Sequence, residues 1–166
     1  SLPLNGLGYG MQPFVSYNYG KGNAERLKKG IKYITIIAFI FGSSIWAVSM
    51  AAPQVYAFIF SASGSVKDIV KTYTPLFLMG SVMFFVQMTL QNVNVALGQA
   101  KSALLLAVLR KVVILIPLCF ILTHFLGFKG VYMSEGIADF VAGAITAVVI
   151  FTTFPKVFKR REEELK

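Results

Sequence analysis

From Tyr33 to Val66 the chain contains no Asp, Glu, Lys or Arg, and from Thr72 to Ala100 it again contains none. No other feature limits the fold as strongly. A helix needs about 20 consecutive apolar residues to cross the hydrocarbon core of a bilayer, and both stretches exceed that. A helix on the surface of a soluble domain would show a polar stripe at 3.6-residue spacing, which these stretches lack. Charged residues are only 14% of the chain and hydrophobic ones 56%, where a soluble domain carries about 25% charge. The chain therefore reads as an all-α integral membrane protein, a helical bundle.

A single transmembrane domain over 1–166 divides at its polar breaks. Residues 1–18 form a partial helix, too short to span alone. Membrane-spanning helices are expected over 31–60, 72–98, 102–126 and 131–154, and 155–166 as a solvated cytoplasmic tail. In the first segment Gly6 and Gly10 stand four apart, a spacing that lets helices pack closely, and Pro13 bends the helix. Thirty residues over 31–60 exceed one span, so that helix is tilted or interfacial beyond Pro53. Trp46, near its middle, is expected to pack on another helix. Pro75 suits the first turn of its helix. Arg110 and Lys111 fall inside the fourth segment and are expected at the surface, snorkelling outward, with Pro117 as a kink. The chain begins at Ser1 with apolar residues and without the basic region of a signal peptide; it reads as a fragment lacking an N-terminal part.

The net charge of +9 belongs to the loops. Counting Arg110 and Lys111 with their loop, 13 of the 16 Lys and Arg fall on the side that holds Lys21 to Lys32 and the C-terminus, and 3 (Lys67, Lys71, Lys129) on the other. Cytoplasmic loops collect Lys and Arg, so the reading is a multi-pass protein of the cell membrane with a cytoplasmic C-terminus. No basic stripe interleaved with aromatics points to nucleic acid. A lone Cys119 and a lone His124 leave no disulfide framework and no His/Cys metal cluster.

Three amides, Gln87, Gln91 and Asn94, share one face of the third segment, since offsets of 4 and 3 return to the same side of a helix. Amides facing lipid are costly, so this face meets protein or a water-filled cavity; interhelical hydrogen bonding and a substrate cavity both fit. Glu135 and Asp139 lie one turn apart in the last segment. Intramembrane carboxylates are ion-coupling candidates; the opposing reading leaves them in the outer headgroup zone, capping the helix start. Enzyme motifs are absent. Gly6-Leu-Gly-Tyr-Gly lacks the dinucleotide spacing, and Gly20-Lys21-Gly22 is not a phosphate loop.

The stretch Gly10-Met-Gln-Pro-Phe-Val-Ser-Tyr-Asn-Tyr-Gly-Lys-Gly-Asn, followed by Arg26 to Lys29, resembles the multidrug and toxic compound extrusion (MATE) transporters, in particular a MepA-like bacterial branch. Leu97-Gly98-Gln99-Ala100-Lys101, Arg110-Lys111 with Ile116-Pro117, and Gly130 to Asp139 resemble later helices of that family. The resemblance implies a protein of two six-helix lobes, this chain being part of the second. It implies efflux of small organic cations or amphipathic drugs by antiport against H⁺ or Na⁺, with no other cofactor and with the bilayer and the remaining transporter as partners. Gly10, Gln12, Pro13, Ser16, Tyr17, Asn18 and Gly20 then form a family signature at an inner gate. The amide-bearing segment holds no acid, a departure that puts the Na⁺ site of one family branch in doubt and leaves an acid of the missing first lobe as the coupling group the resemblance implies. Two other readings stay open: a lipid-linked oligosaccharide flippase of the same superfamily, and a non-transporting membrane assembly subunit.

Overall fold

The computed structural model describes residues 2–164, all of whose regular elements are helical. Helix α1 runs Leu2–Gly20 and α2 Ala24–Ala51, joined by a tight turn in which Asn23 caps α2 by accepting a hydrogen bond from the Arg26 amide at 3.1 Å. A short α3, Gln54–Ile59, follows, then α4, Ser65–Leu78, and α5, Ser81–Ala96. Helix α6, Ala100–Val108, passes through a π-helical segment, Leu109–Leu115, into α7, Ile116–Leu126. The last helix, α8, spans Phe128–Glu164. Helix α2, the continuous run Ala100–Leu126, and α8 are each long and apolar enough to cross a membrane; α4 and α5, bent by 53° at their break, reach that length and apolarity only as a pair.

Helix α5 is the axis of the bundle, with α1, α2 and α8 packed around it. Val15 of α1, Leu27 and Ile34 of α2, Leu90 and Val93 of α5 and Ile150 of α8 form its core. Lipid offers helices no hydrophobic reason to associate, so small residues that admit a neighbouring backbone take that role. A methyl at Gly80 would collide with the Gly136 carbonyl oxygen, one at Gly136 would meet the Leu76 carbonyl at 2.7 Å, and one at Gly143 the Met83 carbonyl at 2.5 Å. These contacts advance together along both helices, so α5 and α8 run parallel. Helices α7 and α8 are joined by Gly127 alone, at φ +57°, backbone that costs glycine nothing.

Several boundaries differ from those expected. The segment 31–60 breaks at Ala52–Pro53, because a residue before proline is pushed out of helical backbone. The segment 72–98 is two helices: α4 starts at Ser65, Pro75 lies in its third turn, and the chain bends at Met79–Gly80. The tail 155–166 is helical through Glu164; its last two residues lie outside those described. Phe158, 4% exposed, stacks edge-on to Tyr19 at 5.8 Å and draws the end of α8 onto α1. Trp46 is 42% exposed on the outer side of α2. Nothing lies within 4 Å of a methyl built at Gly6 or Gly10, and the close approach belongs to Gly8, which faces the Asn92 side chain.

Candidate functional site

Four charged side chains meet between the α6–α7 helix and α8. Arg110 Nε donates to Asp139 Oδ1 at 2.7 Å and Nη2 to Glu135 Oε1 at 3.1 Å; Lys111 Nζ donates to the same Glu135 oxygen at 2.9 Å. The Arg110 guanidinium lies 4.6 Å over the Phe84 ring. Side-chain exposure is 15% for Arg110, 18% for Glu135 and 10% for Asp139, but 53% for Lys111. Local structure sets this up. Arg110 and Lys111 lie in the π segment, whose wider turn brings both neighbours toward α8; π turns recur at functional sites. Pro117, just downstream, cannot donate its backbone hydrogen bond and crowds the carbonyl four residues earlier, which fits a widened turn at that point. Opposite, Asp139 Cβ lies against Gly80 at the break between α4 and α5.

The outward, snorkelling placement is therefore corrected for Arg110, which points inward because two carboxylates of α8 stand there, while Lys111 stays half exposed and turns its ammonium to Glu135. Glu135 does not cap a helix start either. Helix α8 begins at Phe128, so Glu135 lies about 12 Å and Asp139 about 18 Å beyond the Gly127 turn at 1.5 Å per residue. With Arg110 and Lys111 withdrawn from the surface count, 11 basic residues remain on the side of the C-terminus and 3 on the other.

The amide face of α5 points into the bundle. Gln91 Nε2 donates to the Ala103 carbonyl at 3.4 Å, and Asn94 Nδ2 to Ser102 Oγ at 3.2 Å, both tying α5 to α6. Gln87 is 2% exposed, and among the described residues neither of its side-chain polar atoms has a partner. Thr146, one turn beyond Gly143 on α8, is buried and its side-chain oxygen likewise has no partner among the described residues. Asn92, which the amide pattern passes over, faces α1: its Oδ1 accepts from Gln12 Nε2 at 3.4 Å and its side chain packs on Gly8. The signal for it was the small residue at Gly8, one turn before Gln12.

The signature stretch is the end of α1. Ser16 Oγ donates to the Ala96 carbonyl at 3.0 Å, and Asn18 Nδ2 donates to the Phe14 carbonyl at 2.8 Å. Arg161 Nη2 donates to the Gly20 carbonyl at 3.2 Å. Gly10, Pro13 and Tyr17 are exposed, and Lys21 lies 4.7 Å over the Tyr17 ring. Among the described residues no three His, Cys, Asp or Glu side chains gather as a metal-ligand set.

The MatE family model matches residues 1–121. The chain belongs to the MatE family. This MatE chain is 30% identical over 157 residues, 91% of its length, to the multidrug export protein MepA of Staphylococcus haemolyticus (strain JCSC1435), and covers 33% of that protein. Its fold superposes on the MATE multidrug transporter DinF-BH, solved in complex with R6G, with a TM-score of 0.82 at 30% identity, covering 94% of this chain and 35% of that one. An inward-facing multidrug resistance MATE transporter of the MOP superfamily matches with a TM-score of 0.85 at 21% identity, covering 95% and 37%. The MatE chain thus spans about a third of the length of these relatives.

Proposed function

We propose that this MatE chain serves efflux of amphipathic or cationic compounds in exchange for H⁺ or Na⁺. The likeness to a multidrug export protein supports the substrate class. The observation that carries the coupling is the four-charge cluster. Two carboxylates and two cations balance when all are ionised, so a cation arriving at Asp139 or Glu135 competes with Arg110 for the same oxygens. Such competition ties ion binding to the fit between the α6–α7 helix and α8, and the π turn and the α4–α5 break lie at the contact. Broken helices at mid-membrane recur where transporters place ion and substrate sites. For Gln91 and Asn94 the geometry favours a helix-joining role, since both already hold α6; Gln87, buried with Thr146, is the amide left for a solvated cavity. The ends of α1 and α8, clasped through Gly20 and Arg161, are the inner gate in this reading. The 11-to-3 basic asymmetry supports a cytoplasmic C-terminus.

The test is dye movement in vesicles holding the full-length protein. An imposed H⁺ or Na⁺ gradient should drive a cationic dye, and Asp139→Asn should abolish the gradient dependence. Movement indifferent to both gradients would overturn antiport.

A further inference from the structure

Away from the charge cluster, α2 and α8 leave a groove of about 220 Å³ between them, lined by Lys28, Ile31 and Lys32 of α2 and by Ile150, Phe151 and Phe154 of α8. On both helices it lies at a boundary of composition. Lys32 is the last cation before the charge-free run that opens at Tyr33, and Phe154 ends the apolar part of α8, two residues before Lys156. Lys28 and Lys32 are one helical turn apart on one face. Both are exposed, and neither has an ion-pair partner among the described residues; their neighbour Lys29 is bound to Glu25 at 2.8 Å. Pro155 lines the same groove and has no backbone N–H to donate.

We propose that this groove is a binding site for one anionic diacyl phospholipid. The headgroup phosphate bridges the Lys28 and Lys32 ammonium groups, and an acyl chain lies along Ile31, Ile150 and Phe151. Apart from the two lysines the lining is apolar, which suits a hydrocarbon chain and leaves a soluble anion nothing to hold beyond them. Two cations without an ion-pair partner among the described residues select a net negative headgroup over a zwitterionic one. Basic pockets between membrane helices bind anionic headgroups by this combination. The lipid would join α2 to α8 where the protein itself leaves a gap, beside the packed core residues Ile34 and Leu90.

The proposal is tested by native mass spectrometry on the full-length protein, delipidated in detergent and titrated with dioleoylphosphatidylglycerol. One saturable adduct is expected. Each lysine near a phosphate strengthens binding about fivefold, so Lys28→Ala/Lys32→Ala should weaken the adduct about 25-fold. The charge-matched Lys67→Ala/Lys71→Ala should leave it unchanged. Phe151→Ala, at an exposed position that keeps both lysines, should weaken it severalfold. Equal binding of dioleoylphosphatidylcholine, displacement by equimolar inorganic phosphate, or an unaltered adduct in Lys28→Ala/Lys32→Ala would each overturn the site, as would absence of any adduct because another segment fills the groove.

Discussion

Arg110 makes contact with both carboxylates of the cluster, and its removal leaves two partly buried anions facing Lys111 alone. Breaking a buried pair from one side costs about 3–5 kcal/mol, whereas replacing both partners by apolar residues is close to neutral. Arg110→Leu should therefore lower the unfolding midpoint in detergent strongly, and Arg110→Leu/Asp139→Leu should recover most of the loss. Lys111→Ala, whose side chain is half exposed, should cost under about 1 kcal/mol. Thermal unfolding of the three variants decides; a Lys111 effect as large as that of Arg110 would contradict the geometry. The carboxylates were legible in the sequence because acids inside an apolar run stand out. Arg110 was not, because counting charges by loop sends every cation to a surface. Its partners lie 25 and 29 residues later, across a turn whose sharpness a composition profile does not reveal.

At the level of elements, the glycines separate into two kinds. Gly80 and Gly136 each admit a neighbouring carbonyl, so Gly80→Ala should cost about 1–3 kcal/mol through overpacking. At Gly6 and Gly10, inside α1 and open in the structure, alanine should instead gain up to about 1 kcal/mol of helix propensity. Unfolding in detergent distinguishes the two, and a neutral Gly80→Ala would show that α4, α5 and α8 are not locked there. The existence of the spans was readable from uncharged length. The bend at Met79–Gly80 was not, since a run without charge looks the same whether the helix inside it is straight or broken. The π segment was equally hidden: Pro117 announced a disturbance, and only the carboxylates opposite show which way it turns the side chains.

For the whole molecule, the clasp between the ends of α1 and α8 is open to direct measurement. Phe158 and Arg161 hold Tyr19 and Gly20, so Phe158→Ala/Arg161→Ala should speed amide exchange at residues 18–21 while leaving α5 protected; unchanged exchange would mean the contact contributes nothing. The proposed orientation predicts that a cysteine placed at Lys159, in a Cys119→Ser background, reacts with a membrane-impermeant reagent only from the cytoplasmic side. Fold class and family were both within reach of the sequence, one from the charge-free runs and the other from the stretch Gly10 to Asn23. Within that stretch Ser16 fixes α1 to α5, while the Asn18 amide closes its own helix.

The single-residue turn at Gly127 has a consequence for how the protein reaches the bilayer. A lone Ala100–Leu126 helix would carry Arg110 and Lys111 without counter-charges, and a lone α8 would carry Glu135 and Asp139 in the same state. Each such side chain near the bilayer centre resists insertion by about 2.5–3.5 kcal/mol. A connector of one residue gives neither helix room to wait outside for the other. The turn thus favours entry of the two as one hairpin in which these four charges already balance.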